Sequence, residues 1–366
     1  MNLFKINEQK LIESYLLSKE YIQASESKHW KKLNEPKRDS FFKSVEENAS
    51  ILQSFRSNKI LSKGLDDAVE KKFIPEVFFK IAEQYNAYEI LNYLQEKNIG
   101  ESDHGINIFD RFIDYHELFL VDYAFKLDKY FFRNFHHPIL CEIGGGYGAL
   151  CRMLSSKHSC KYILIDLPEA NLISAYYLDQ HFKNTNKRIL LFSDLNKPTL
   201  QGEDIADYDF IIIPPNIKFA EDLEIDLFIN TRSMMEMESK TISNYFDLIH
   251  GNISKSGYFL NVNRYIKKTV GEEIMISRYP YDENWNVQIS EKAFMQDHIH
   301  LLLTKRDFSE SKNIIPELNK LEIEAKKYFE SNVSVYIRSM FNRMKSLLPS
   351  NLKAKIKSLL FSSKPE

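Results

Sequence analysis

Short apolar runs alternate with helical patterns along the middle of the chain, beginning near Pro138. These runs have the length and composition of buried strands, and they begin at residues 139, 162, 188, 208, 225 and 257. Strands that alternate with helices predict an α/β fold with a doubly wound, Rossmann-like parallel sheet. Two further runs, at 285–290 and 298–304, predict a closing pair of strands.

The residues on either side of this region follow a helical pattern. Up to about residue 135, apolar residues recur at helix spacing and glycine occurs only at positions 64, 100 and 105. The segment Gly100–Gly105 is predicted to be a loop. We therefore predict a helical N-terminal or lid domain over 1–135, a sheet domain over 136–310 and a helical tail over 311–366.

Composition narrows the class of protein. A net charge of −2 over 366 residues gives no signature of nucleic-acid binding. The cysteines Cys141, Cys151 and Cys160 lack the paired C-x-x-C spacing of a zinc site, so we expect no metal and reduced thiols. The N-terminus has no apolar run of signal-peptide length, and we expect a cytoplasmic protein.

A glycine-rich loop, Glu142-Ile-Gly-Gly-Gly-Tyr-Gly148, follows the first predicted strand and precedes a helical pattern. Such a loop exposes backbone N–H groups at the start of a helix, and glycine lets a ligand approach the main chain closely. We predict ligand contacts from Gly144, Gly145, Gly146, Tyr147 and Gly148. Because Gly144, Gly146 and Ala149 also fit the dinucleotide motif, the glycines alone do not identify the ligand.

Two carboxylates flank the loop. Glu142 lies two residues before Gly144, where an acid suits the cationic ammonium and sulfonium of S-adenosylmethionine and would repel a pyrophosphate. Asp166, followed by Leu167, ends the next predicted strand, where a carboxylate can accept hydrogen bonds from ribose hydroxyls. These residues favour S-adenosylmethionine as cofactor; a nicotinamide cofactor and a purely structural glycine turn remain as alternatives.

Polar residues crowd the ends of two later strands. The first group is Asn230, Thr231, Arg232, Ser233 and Glu236, and the second is Asn261, Asn263, Arg264 and Tyr265. Methylation of a hydroxyl needs a general base, and Glu236 is the first candidate, with Asn230 and Arg264 as further catalytic candidates. His104 and His116 are in reserve. Alternatively, Ser233 and Glu236 form only a helix capping box, and the second group is only an exposed strand end.

Four segments together resemble a bacterial family of sugar O-methyltransferases: Glu142–Gly148, Ile165–Ala170, Asn230–Met237 and Asn263–Tyr265. The resemblance spans roughly residues 50 to 305, and its most distinctive part is the string Asn-x-x-Ser-x-x-Glu-Met. It implies a class I methyltransferase fold and methylation of a sugar or glycan hydroxyl in a surface polysaccharide or glycolipid pathway.

Other acceptors and roles stay open. The segment Asp166-Leu-Pro also resembles small-molecule O-methyltransferases, but those acting on phenols usually carry a His after the fourth strand, where this chain has Thr231–Glu236. A natural-product methyltransferase and a cofactor-binding scaffold in a glycan assembly complex are the alternatives.

The C-terminal segment is basic and amphipathic. From Val333 to the end it has seven Lys or Arg and one Glu, and Leu352, Ile356, Leu359 and Leu360 form one apolar stripe. Such a helix can lie peripherally on the anionic inner face of a membrane, or dock on its own protein.

Overall fold

A computed structural model describes residues 6–22, 36–58, 67–94, 97–103, 105–108, 110–268, 271–307 and 314–328. The helices are α1 (Glu8–Ile22), α2 (Pro36–Glu47), α3 (Asp67–Ala82), α4 (Ala87–Tyr93), α5 (Tyr115–Leu127), α6 (Ala149–Lys157), α7 (Pro168–Phe182), α8 (Gly202–Ala206), α9 (Ser239–Asn252) and α10 (314–328).

The longer strands are β3 (Ile139–Ile143), β4 (Lys161–Ile165), β5 (Ile189–Leu191), β7 (Phe210–Ile213), β9 (Ile225–Thr231), β10 (Ile253–Arg264), β13 (Trp285–Ala293) and β14 (Gln296–Arg306). The shorter ones are β1 (Gly105–Ile108), β2 (Arg111–Asp114), β6 (Thr199–Leu200), β8 (Lys218–Phe219), β11 (Ile266–Lys267) and β12 (Ile274–Met275).

The eight longer strands form one sheet in the order β13-β14-β10-β9-β3-β4-β7-β5. Within this sheet the six neighbouring strands β10, β9, β3, β4, β7 and β5 are parallel. Strand β14 pairs antiparallel with both β10 and β13. The predicted α/β fold, a parallel sheet closed by an antiparallel pair, is therefore confirmed. The chain runs outward from β3 in one direction and returns at β9, so the strand order reverses between these two strands, where doubly wound sheets bind their ligands.

Both faces of the sheet are covered. Alternate residues of β3 point to opposite sides, so that Leu140 joins one buried cluster and Cys141 joins the other. The first cluster contains α5, α6, α7 and residues of the N-terminal helices such as Leu11 and Val45, and the second contains α9 and α10. The N-terminal helices thus share a core with the sheet, while the domain boundaries at 135 and 310 stay predictions.

The N-terminal region is not entirely helical. β1 and β2 form an antiparallel hairpin in which Gly105 pairs with Asp114, and Asp110 turns the chain with a positive φ of 57°. The prediction of a loop up to Gly105 is wrong at its last residue, because Gly105 begins β1. Strands of four residues are too short to show a clear alternation of apolar and polar positions.

Two of the predictions fall on residues that the structure does not describe. Residues 329–366, including the basic segment, and the reserve candidate His104 lie outside the described residues. Within the described residues, no helix combines the length and the apolar character needed to cross a bilayer.

Candidate active site

A cavity of about 540 Å³ lies at the carboxyl ends of β3, β4, β7 and β9. Three of the residues predicted to bind a cofactor, Gly144, Asp166 and Leu167, meet in its wall. The rest of the wall is formed by Ile22, Ile165, Pro215, Asn216, Ile217, Lys218, Phe219, Ser233, Met237, Thr241, Asn244, Tyr245, Leu248 and Asn252. Its volume and its mainly apolar wall with a few polar groups are typical of sites for small molecules and cofactors.

The glycine loop enters this cavity in a conformation that only glycine adopts easily. Gly144 has a φ of +76°, and a Cβ there would lie 2.0 Å from the Ser233 Oγ. Gly146 has a φ of +59°, and no atom lies within 4 Å of the place where its Cβ would be. The backbone of Gly146 is therefore open to a ligand. Gly148 donates to the Gly145 carbonyl at 3.0 Å and precedes α6.

Alanine at Gly144 should destabilise the fold, because it meets both a backbone penalty and a steric clash. We expect Gly144→Ala to lower the free energy of unfolding by at least about 2 kcal/mol. Gly251 is the matched control, because it is a helical position of α9 where an added Cβ would have no atom within 4 Å. Gly251→Ala should raise stability by about 0.5–1 kcal/mol, and urea titration would measure both. Equal effects of the two substitutions would contradict the loop geometry.

Asp166 ties the loop after β3 to the loop after β4. Its half-buried carboxylate accepts hydrogen bonds from the backbone N–H groups of Gly146 and Leu167, each at 2.7 Å. Asp166 is thus fixed in the cavity wall as a negatively charged acceptor directly beside the open backbone of Gly146.

Glu142 lies behind the loop rather than in the cavity. Its side chain is 1% exposed and accepts a hydrogen bond from the Tyr162 hydroxyl at 2.8 Å. A Cβ on Gly145 would lie 3.3 Å from the Glu142 Oε2, so the carboxyl group packs beneath the loop. Burial raises the pKa of Glu142 to about 7. The expectation that Glu142 faces the ligand directly does not match this placement, which gives it a supporting role under Gly145.

The raised pKa of Glu142 has a consequence for stability. The folded state retains a proton at Glu142 that the unfolded chain releases near pH 4.5, so stability falls as pH rises from 4.5 to about 7. We expect Glu142→Gln, which keeps an acceptor for Tyr162, to remove this loss. The free energy of unfolding of Glu142→Gln, measured relative to that of wild type, should increase by up to about 3 kcal/mol between pH 5 and pH 8. Urea titrations with the same pH dependence for both proteins would exclude the effect.

Tyr147 points away from the cavity into the N-terminal layer. Its hydroxyl donates to the Glu117 Oε1 at 3.1 Å, and the Arg56 guanidinium lies 4.9 Å from the centre of its ring. Glu117 also pairs with Arg152 of α6 at 2.7 Å, and Arg56 pairs with Asp114 at 2.5 Å. The loop residue predicted to contact the ligand instead anchors the loop to a buried charge cluster (Arg56, Asp114, Glu117, Arg152).

The pattern of residues along the sequence does not predict this cluster. The side chains of Asp114, Glu117 and Arg152 are at most 1% exposed, and that of Arg56 is 8% exposed. One signal was available, because Glu117 stands among the apolar positions of α5, where a charge needs a partner. The partner itself is 35 residues away in the sequence, so no local pattern identifies it.

Asn230 holds the end of β9 against β3. Its amide donates to the Ile143 carbonyl at 2.7 Å and to the Ser233 Oγ at 2.5 Å. Its oxygen accepts from the Met234 N–H and from the Asn263 side chain. The side chain is fully buried, and its amide nitrogen and its oxygen are both hydrogen-bonded within the protein. The predicted catalytic role of Asn230 is therefore replaced by a positioning role.

The capping-box alternative for Ser233 is wrong. Ser233 makes no side-chain cap to the turn that follows; its hydroxyl donates to the Ile143 carbonyl at 3.0 Å instead. Glu236 ends that turn, pairs with Lys267, and is 27% exposed at its side chain. Glu236 does not line the 540 Å³ cavity, although Ser233 and Met237 do.

The second polar group divides into buried and exposed members. Asn261 and Asn263 are 0% exposed and bond to each other at 2.6 Å, and Asn261 also donates to Tyr281. Tyr265 is 2% exposed. Only Arg264 of this group is exposed, so it is the member able to reach a ligand. His116, the reserve candidate for the general base that lies among the described residues, is half-buried at the start of α5.

Comparison with known proteins gives distant similarities in structure alone. No family model and no curated protein matches the chain. The mitomycin 7-O-methyltransferase MmcR aligns with a TM-score of 0.33 and 9% identity, over 74% of this chain and 69% of that one. The N-methyltransferase NodS from Bradyrhizobium japonicum, solved with S-adenosyl-L-homocysteine, aligns with a TM-score of 0.33 and 13% identity, over 52% and 88% of the two chains. The function proposed below therefore rests on the residues of this chain.

Proposed function

We propose that this protein is an S-adenosylmethionine-dependent O-methyltransferase that methylates a hydroxyl of a sugar, in surface polysaccharide or glycolipid biosynthesis. The observation that carries the proposal is the cavity at the point of strand reversal, where Gly144, Asp166 and Ser233 share one wall. The sequence string from Asn230 to Met237, which resembles sugar O-methyltransferases, contributes Ser233 and Met237 to the cavity wall, and Asn230 supports it from behind.

The residues in the cavity fit the parts of this cofactor. Asp166 would accept hydrogen bonds from the ribose hydroxyls, and the apolar side chains of Leu167, Ile217 and Leu248 would pack against adenine. The open backbone at Gly146 would admit the amino-acid part. When bound, S-adenosylmethionine supplies an electrophilic methyl group on a sulfonium.

The hydrogen bonds of the loop favour this cofactor over a nicotinamide dinucleotide. The Gly146 N–H, at the middle of the loop, donates to the Asp166 carboxylate at 2.7 Å. This hydrogen bond occupies an amide that the pyrophosphate of a dinucleotide would use. The N–H groups of Gly144 and Gly148 are also bonded, to the carbonyls of Ile165 and Gly145, so these three loop amides do not face phosphate oxygens.

Glu236 is the proposed general base. Lys267 binds its Oε1 and fixes the side chain, and the second carboxylate oxygen can accept the proton of an acceptor hydroxyl. We expect Glu236→Gln to lower kcat at least about 100-fold with little change in the KM for the acceptor. Glu238→Gln, two residues along, is the control and should keep wild-type kcat. A variant changed only in thermal stability would remove Glu236 from the mechanism.

Methyl transfer itself tests the proposal. Full-length protein, S-adenosylmethionine with a labelled methyl group and extracted surface glycans should yield label in the glycan fraction. Label in a panel of small phenols and alcohols but not in glycans would favour the natural-product alternative. Binding of S-adenosylhomocysteine without any transfer would favour the scaffold.

A further inference from the structure

Two arginines continue the edge of the sheet beyond the cavity. Arg232 directly follows β9 and donates its backbone N–H to the Val262 carbonyl at 2.7 Å, while Arg264 ends the neighbouring strand β10. His298 follows on the next strand, β14. We call Arg232, Arg264 and His298 the arginine edge. Ser233, beside Arg232, belongs to the cavity wall, so the arginine edge begins where the proposed cofactor site ends.

Arg232 is held in place at a conformational cost. Its φ is +66°, a left-handed conformation that is unfavourable for a residue with a Cβ. The guanidinium donates to the Gln296 Oε1 and lies 5.7 Å from the centre of the Phe119 ring. Strained residues persist where the surroundings fix them, most often at functional sites.

Gln296 leaves a donor beside this guanidinium. The side chain is 7% exposed, and its Nε2 has no hydrogen-bond partner among the residues that the structure describes. A buried amide donor is normally satisfied by protein, by water or by a ligand. The unsatisfied Gln296 Nε2 is therefore a second hydrogen-bond donor next to the Arg232 guanidinium. This observation does not depend on the charge of the arginines.

Among the described residues, Arg232 and Arg264 contribute two positive charges to the arginine edge. In the described part of the chain, neither Arg232 nor Arg264 forms an ion pair with a carboxylate. Asp297, next to His298 in the sequence, pairs with Lys292 at 3.5 Å, and Glu236 pairs with Lys267. Burial, followed by the charges of Arg264 and Arg232, lowers the pKa of His298, and the Asp297 carboxylate opposes this shift.

We infer that the arginine edge binds an anionic group of the acceptor, a phosphate or a carboxylate, so that the substrate is a charged sugar rather than a neutral one. The inference rests on the proposed function and adds the class of substrate. Guanidinium groups bind both anions through paired, charge-assisted hydrogen bonds. The position beside Ser233 lets the anion orient the sugar while its hydroxyl faces the proposed cofactor site.

The test compares three sugars that differ in one group. Full-length protein saturated with S-adenosylhomocysteine is titrated with glucose, glucose 1-phosphate and glucuronic acid, and binding is followed by calorimetry or ligand-observed NMR. We expect at least one of the two charged sugars to bind at least about tenfold more tightly than glucose. Which of them binds more tightly distinguishes a phosphate from a carboxylate.

Substitutions locate the effect. Arg264→Gln and Arg232→Gln should each remove most of the preference for the charged sugar, whereas Arg278→Gln, which removes an exposed arginine paired with Glu273, should retain it. Arg264 is exposed at a strand end, so its variant tests the inference even if the Arg232 variant does not fold. Equal binding of all three sugars, failure of both charged sugars to bind, or an unchanged preference in Arg264→Gln would overturn the inference. Failure of S-adenosylhomocysteine to bind would instead remove the proposed function.

Discussion

Asp166→Ala is expected to raise the Kd for S-adenosylhomocysteine at least about tenfold, a loss of roughly 1.4 kcal/mol or more. The substitution removes the acceptor proposed for the ribose hydroxyls. It also removes the two hydrogen bonds that tie Gly146 and Leu167 to one carboxylate, so the glycine loop loses part of its order before any ligand arrives. Isothermal titration of both proteins measures the difference directly.

A second aspartate provides the control. Asp194 follows the edge strand β5, accepts from the Leu191 N–H at 2.8 Å and pairs with Lys10, but it does not line the cavity. Asp194→Ala should lower stability and leave the Kd for S-adenosylhomocysteine within about twofold. If the two variants bind the ligand equally well, Asp166 is not in the cofactor site.

Glu117→Gln should cause the largest loss of stability, about 3–5 kcal/mol in the free energy of unfolding. Glu117 is the ion-pair partner of Arg152 among the described residues, and it lies 3.7 Å from the Arg56 guanidinium. The substitution leaves the Arg152 charge buried without a counter-charge, which costs more than the pair itself contributes. Thermal and urea unfolding would measure the loss.

The matched control is an exposed pair of the same kind. Glu76 pairs with Lys80 at 2.8 Å along α3, and both side chains are about half exposed. Glu76→Gln should change the free energy of unfolding by less than about 0.5 kcal/mol, because water screens the pair. Comparable losses in the two variants would mean that the buried cluster does not hold the N-terminal layer to the glycine loop.

The sequence predicted the sheet and three residues of the cavity wall for a physical reason. A strand buried on both faces must be apolar throughout, so β4 and β7 appear in the sequence as short continuous runs of apolar residues. Gly144 and Asp166 follow such runs directly, and the carboxyl ends of parallel strands meet at one edge. The proximity of Gly144, Asp166 and Leu167 could therefore be predicted without information on long-range contacts.

The direction of individual side chains was not predictable in the same way. Glu142 and Tyr147 flank the same glycines, yet one packs beneath the loop against Tyr162 and the other reaches Glu117. Their directions depend on the backbone angles of Gly144 and Gly146, which the residue types permit but do not specify. The same limit applies to Asn230, whose partners come from three different segments.

Binding of S-adenosylhomocysteine to the full-length protein tests the central claim most directly. In isothermal titration we expect one site per chain with a Kd below about 100 μM, and no binding of NAD⁺ at the same concentrations. Binding of NAD⁺ but not of S-adenosylhomocysteine, or binding of neither, would contradict the assignment of the cavity beside Gly144 and Asp166 to S-adenosylmethionine.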